Sequence, residues 1–401
     1  MPRSAAWPVK ELFTVWGGNL FSKILMFLAT IWLANKLEAA GFGVYSTAFA
    51  VVNYLSLALF TGLDTLVTRQ SAALPEAAVW PFAKKLFSVR RRLTNFAMLV
   101  TAALAFFLGK EDASLGMALL IFGLSFLPQQ IYAVNLFYGR EWPGPVSIYF
   151  AGGRILYVAL LFLLVKGPSD VLWAASAFGL AIAAENFYLY FTFRSRYGKL
   201  ADLAVQSLAL PLKSVLVLTL LTALLLLHEN APQFLVFLLK GEKEAGLYAS
   251  SFRLIYTAVT FMNLGGFVFL ARFSKNEKGA ENAYRKARIA AMLGGVAAAV
   301  AGFFLAPYIY NALFRATYEG GAQILRAGIW QMALVPARVL AFQYLIAKGA
   351  GKKLFAPLIL GVMLSLALVF YLTWQRGALG ASLGLVCGEL VITALLFLKA
   401  R

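Results

Sequence analysis

Apolar residues run in long blocks along this chain, separated by short polar punctuation. The blocks fall near residues 12–37, 43–66, 93–109, 115–138, 147–166 and 170–193. Six more follow near 213–239, 244–271, 288–310, 322–347, 354–373 and 377–398. A helix needs roughly 20 residues to cross bilayer hydrocarbon, so this pattern predicts an all-α polytopic membrane protein of about twelve spans. The interruptions carry turn formers and charge: Lys110-Glu111-Asp112, Trp142-Pro143-Gly144-Pro145, Gly167-Pro168 and Lys348-Gly349-Ala350-Gly351. No polar loop exceeds about 25 residues, too few for a catalytic domain outside the membrane.

The pattern also repeats. Residues Gly43 to Ser71, moved forward by about 203 positions without a gap, fall on Gly246 to Ser274. Gly43 meets Gly246, Tyr45 meets Tyr248, Phe49 meets Phe252, Gly62 meets Gly265 and Arg69 meets Arg272. This predicts a duplicated unit of about 200 residues, the internal symmetry of transporters. The expected domains are an N-terminal six-helix lobe, 1–200, and a C-terminal six-helix lobe, 201–401. The repeat also changes one helix boundary. Hydropathy alone would end the seventh span at His228-Glu229-Asn230, but the shift places these residues on Leu25-Met26-Phe27, mid-helix. The seventh helix should therefore continue, broken or bent at Pro232.

Composition agrees with a lipid solvent: 61% of residues are hydrophobic, 13% are charged, and the mean hydropathy is +0.78. One cysteine, Cys387, excludes a disulfide framework or a thiolate metal site. Met1 to Glu11 is polar and short, and the apolar run after it is too long for a signal-peptide core. The net charge of +19 would suggest nucleic acid in a soluble protein, but no soluble domain is present to bind it. Basic clusters concentrate in alternate loops: Lys84, Lys85 and Arg90 to Arg92; Arg194, Arg196 and Lys199; Lys275 to Arg288; Lys348, Lys352 and Lys353. By the positive-inside rule both termini face the cytoplasm. An even six spans per half gives the halves the same orientation, about a pseudo-two-fold along the membrane normal.

Charges inside the spans carry the chemistry. The basic ones are Lys23, Arg69, Arg154, Arg253, Arg326 and Arg338; the acids are Asp64, Glu185, Glu229 and Glu389. A charge at mid-bilayer costs about 2.5–3.5 kcal/mol on the lenient scale, so each needs a cavity or a partner. Lys23, one turn past Asn19, lies near mid-membrane; Arg154 and Arg338 lie in the cytoplasmic half and Arg253 in the outer half. Such a path suits a crossing anion, a phosphate or pyrophosphate. Lys23, Asn19, Arg154, Arg253 and Arg338 are the candidate substrate-binding residues. Arg69, Arg272 and Arg326 suit interfacial anchoring, and Asp64 should pair with Arg69. Glu185 and Glu389 hold nearly equivalent places in the two halves and suit pairing with a buried arginine. With Glu229 and the chain's only histidine, His228, they are also candidates to carry a coupling proton or sodium ion. Tyr45, Tyr54, Tyr132, Phe252, Tyr256, Trp330, Tyr344 and Trp374 suit either sugar stacking or lipid contact. No nucleotide, haem or zinc motif appears, so no metal or cofactor is expected beyond a coupling ion.

Leu33-Ala-Asn-Lys-Leu-Glu-Ala-Ala-Gly-Phe-Gly-Val-Tyr45, the later Gly62-Leu63 and Arg69-Gln70-Ser71-Ala72, and the second-half echo Gly241 to Ala249 resemble polysaccharide-transport flippases. These belong to the multidrug/oligosaccharidyl-lipid/polysaccharide exporter superfamily, and the resemblance spans essentially the whole chain. It implies a non-enzymatic flippase that moves an undecaprenyl-pyrophosphate-linked oligosaccharide, an O-antigen (lipopolysaccharide), capsule or exopolysaccharide unit, across the membrane by alternating access. Membrane lipids and a polysaccharide polymerase or ligase are the implied partners. The resemblance places a polar coupling residue mid-way along the seventh helix, at Glu229 or Asn230, although the family's aspartate is absent there. The chain also lacks the two extra helices of the peptidoglycan-precursor flippase. The rivals are a cation-coupled multidrug exporter of the same fold, which predicts an acidic interior, and a membrane glycosyltransferase, which predicts a large catalytic loop.

Overall fold

A computed structural model describes residues 9–198, 212–263, 280–349 and 351–399. The expected lobe boundary near 200, Gly265-Gly266, Arg272 and Ser274 lie outside them. Among the described residues the regular structure is helical: α1 Val9–Ala73, α2 Glu76–Leu108, α3 Ala113–Leu124, α4 Phe126–Gln129, α5 Val134–Gly139, α6 Gly144–Leu164 and α7 Val171–Tyr197. Then come α8 Leu212–Asn263, α9 Ala280–Leu313, α10 Gly321–Gly328, α11 Gln331–Ala347 and α12 Phe355–Lys399, with two short 3₁₀ turns between them. Nine stretches among the described residues are long and apolar enough to cross a membrane. This is a multi-pass membrane protein.

Three of the nine are broken by one residue. Glu38 (φ 57°, ψ −179°) interrupts α1, Gly241 (φ 83°, ψ −177°) interrupts α8, and Gly377 (φ 59°, ψ −140°) interrupts α12. The first two breaks fall between paired apolar blocks of the sequence, and the third falls on the first residue of the last block. The seventh span does continue through His228 to Asn230, but its dihedral break is at Gly241, not at Pro232. A proline inside a membrane helix removes one N–H without requiring a left-handed residue, so the helix can pass through it. Elsewhere helices outrun hydropathy. α1 extends to Ala73 and α2 starts at Glu76, so the expected basic loop around 84–92 is helix.

By contacts the chain divides into two units, Met1–Lys36 with Val51–Thr219 and Leu37–Ala50 with Leu220–Arg401. In the first, α7 packs on α6 and α3 through Ala174, Ala175, Ala177 and Ala181, all fully buried. Small residues let helix backbones approach in lipid, where no hydrophobic force acts between helices. Three hydroxyls of this unit bond within their own helix: Thr61 donates to Leu57 O (2.6 Å), Thr101 to Ala97 O (2.8 Å) and Thr192 to Tyr188 O (2.7 Å). In the second unit α9 packs on α11, and α11 on α12. The two limbs of α12 fold back antiparallel across Gly377, with Gly380 against Leu372, Gly384 against Val369 and Gly388 against Ser365. No Cβ fits at these three glycines, spaced four apart, so the two limbs lie in close contact along this stripe.

Candidate functional site

The second unit brings four of the anticipated charged or titratable residues into one buried network. On α12 Glu389 is 2% exposed, on α11 Arg338 is 3% exposed, and on α8 His228 is fully buried. Arg338 Nε donates to Glu389 Oε1 at 2.5 Å, and Arg338 Nη2 donates to Glu229 Oε1 at 2.6 Å. His228 Nε2 lies 3.1 Å from the other oxygen of Glu389, and His228 Nδ1 lies 2.7 Å from Ser365 Oγ. The chain Ser365–His228–Glu389–Arg338–Glu229 thus runs from a closed interior to Glu229, whose side chain is 32% exposed. Pro232 on α8 has no N–H to offer the carbonyl of His228, four residues before, which adds one more acceptor here.

Arg338 sits within this group, neutralised on two sides, rather than on a free surface. Ser365 was not legible as a member. It is one serine in an apolar run, and only the fold-back of α12 places it.

The first unit holds two further pairs. Arg154 on α6 lies 3.6 Å from Glu185 on α7, with the arginine 17% and the glutamate 1% exposed. Asp64 pairs with Arg90, not with Arg69. Arg90 is 2% exposed and lies over the rings of Phe60 (4.9 Å) and Tyr132 (4.6 Å). Its place in a run of basic residues suggested a solvated loop, but the helical start of α2 turns this one residue inward while Arg91 and Arg92 stay exposed. Arg69 is exposed at the end of α1, as an anchoring residue would be. Arg326 donates to Phe303 O at 3.1 Å and lies over that ring.

Two anticipated cations differ from the rest. Lys23 on α1 is half-buried, and among the described residues no carboxylate pairs with it. Arg253 on α8 is half-buried over the ring of Phe49 (5.9 Å), again without a carboxylate partner among the described residues. The backbone of Asn19 is helical; its side chain is outside the described set. Among the described residues no group of three or more histidine, cysteine or acidic side chains could hold a metal ion.

The described residues thus form a membrane bundle of broken helices that holds several charge pairs inside its units. Its fold is similar to an inward-facing multidrug resistance MATE family transporter of the MOP superfamily (TM-score 0.75, 16% identity, covering 95% of this chain and 94% of that one). It is likewise similar to the lipid II flippase MurJ in an inward closed conformation (TM-score 0.71, 12% identity, 96% and 87% covered). An outward-facing MATE transporter of the same superfamily matches with TM-score 0.67 at 17% identity, covering 97% and 94%. No curated protein matches the chain by sequence. The family model for polysaccharide biosynthesis proteins matches residues 9–255, more than half of the chain, and the chain belongs to that family.

Proposed function

We propose that the chain is a flippase that carries an undecaprenyl-pyrophosphate-linked oligosaccharide from the cytoplasmic to the outer leaflet. The observation that carries this reading is the charge imbalance inside the spans. Asp64, Glu185, Glu229 and Glu389 each face an arginine, whereas Lys23 and Arg253 face no carboxylate among the described residues. The surplus is positive, which favours a pyrophosphate or an acidic sugar. An exporter of organic cations would need the reverse, an unpaired acid. Lys23 and Arg253 are the primary anion ligands in this reading, with Asn19 beside Lys23 and Arg154 in reserve behind Glu185. Arg338 serves the His228 network, which carries the coupling proton; Glu185 holds Arg154. Counting each side of the three breaks as a crossing turns nine apolar stretches into twelve, six per lobe, with both termini cytoplasmic. The lipid tail remains in the bilayer, so no covalent chemistry is required. A polymerase or ligase would take the flipped product.

The test is flipping of a fluorescent polyprenyl-pyrophosphate oligosaccharide in proteoliposomes. Lys23→Ala and Arg253→Ala should each slow it at least tenfold at matched folded protein, while Arg326→Ala should not. Wild-type rates in both cation variants would refute the assignment.

A further inference from the structure

The repeat predicted from sequence reappears as a contact in three dimensions, entirely within the second unit. Glu38 and Gly241 are 203 residues apart, and both hold the left-handed, fully extended conformation that breaks their helices. Five residues beyond each break stand Gly43 and Gly246, also 203 apart and both buried. A Cβ on Gly43 would run into the carbonyl of Glu242; a Cβ on Gly246 would run into the carbonyl of Ala39. Ala39 and Glu242 are themselves 203 apart, so each copy presses its glycine on the same backbone carbonyl of the other. Such a reciprocal contact is that of a two-fold interface folded into one chain. Tyr45 and Tyr248, the next equivalent pair, are both buried beside it. Gln233 Nε2 adds a bond to Thr47 Oγ1 (3.0 Å) and another to Ala245 O (3.2 Å).

The segment that makes this contact is placed oddly. Residues 37–50 belong by contacts to the second unit, yet the chain before and after them belongs to the first. A helix break at Glu38 opens the segment, and backbone carbonyls meeting glycines hold it, with the Gln233–Thr47 bond beside them. Glu38 has a side chain in a region of φ and ψ that only glycine occupies freely, so this break holds local strain.

We propose that residues 37–50 are a latch that grips the second unit through the Gly43–Gly246 contact in this state and releases it during transport. The breaks at Glu38 and Gly241 are its two hinges. This rests on the transporter reading above, since only a protein that changes access needs such a release. The same symmetry makes Gly43 and Gly246 equivalent in effect.

The test uses a Cys387→Ser background with Ala48→Cys, a position that is fully buried in the latched state. Maleimide labelling of this cysteine in membranes is expected to be slow. Gly43→Ala and Gly246→Ala should each raise the labelling rate at least tenfold and by similar factors, and Gln233→Leu should raise it less. Gly294→Ala, where a methyl meets nothing, is the control and should leave it unchanged. Equal protection of the cysteine in Gly43→Ala, Gly246→Ala and Gln233→Leu would overturn the latch. If a glycine variant fails to fold, Gln233→Leu and addition of lipid-linked oligosaccharide to the parent decide, since each should speed labelling. Labelling that responds to the glycine variants in a chain that never flips lipid would leave the latch standing and remove the flippase.

Discussion

Arg338→Met removes the cation that two carboxylates share. Glu389 is then left 2% exposed with His228 as its partner, and removing one member of a buried pair costs about 3–5 kcal/mol. The contact to Glu229 adds less, on the order of 0.5 kcal/mol, because that side chain is 32% exposed and screened. Glu389→Gln alone should also cost roughly 3 kcal/mol, since it leaves Arg338 buried with only the part-exposed Glu229 as counter-charge. The double variant Arg338→Met/Glu389→Gln strands neither charge, and the amide introduced at position 389 can still hydrogen-bond His228. It should therefore be more stable than the sum of the single losses by about 2–3 kcal/mol. The assay is the melting midpoint in detergent, read by size-exclusion chromatography of heated samples. The double variant should melt no lower than the worse single variant. A double variant that loses the full sum of the two single shifts would mean that the residues do not act as a pair, and the network would not hold.

Four more outcomes follow from other contacts. Arg90→Ala should cost about 3 kcal/mol by stranding Asp64, whereas Arg91→Ala and Arg92→Ala, both exposed, should stay within about 0.5 kcal/mol on the same melting assay. Gly388→Ala forces a methyl on Ser365 and should cost about 1–3 kcal/mol; Ser365→Gly in the same chain should restore part of the melting temperature. Glu38→Gly should raise the melting midpoint, because relief of about 1–3 kcal/mol of backbone strain exceeds the roughly 0.4–1 kcal/mol gained by a more flexible unfolded chain. If the His228 network carries the coupling proton, His228→Gln should abolish the response of flipping to an imposed pH gradient, while replacing sodium by potassium should change nothing in the wild type.

Much of this could be read from the chain because lipid simplifies the rules. Apolar length marks the helices, and the polar residues between blocks coincide with breaks at Glu38 and Gly241. The repeat frame carried α8 through His228 and Glu229, where hydropathy alone stopped. Buried charge was legible as a set, since Arg154, Glu185, His228, Glu229, Arg338 and Glu389 all proved to be members of pairs or networks. What was not legible depends on direction. Asp64 could reach a basic group on either side, and only the inward face of α2 selects Arg90 over Arg69. Helices in water need no apolar run, so the ends of α1 and α2 were hidden in what looked like a loop. Ser365 had no signal of its own; the glycine stripe on the returning limb of α12 supplies it. Pro232 looked like the breaker, yet the break needed a positive φ, which Gly241 provides at little cost and Glu38 provides under strain.

The measurement closest to the central claim is transport by the purified wild-type protein in liposomes, run in parallel on two cargoes. One is a fluorescent polyprenyl-pyrophosphate oligosaccharide, the other a fluorescent organic cation. Flipping of the lipid-linked sugar, inhibited by free pyrophosphate and indifferent to the organic cation, is the predicted result. Uptake of the organic cation down a proton gradient, with no movement of the lipid, would contradict the reading of Lys23 and Arg253 as anion ligands.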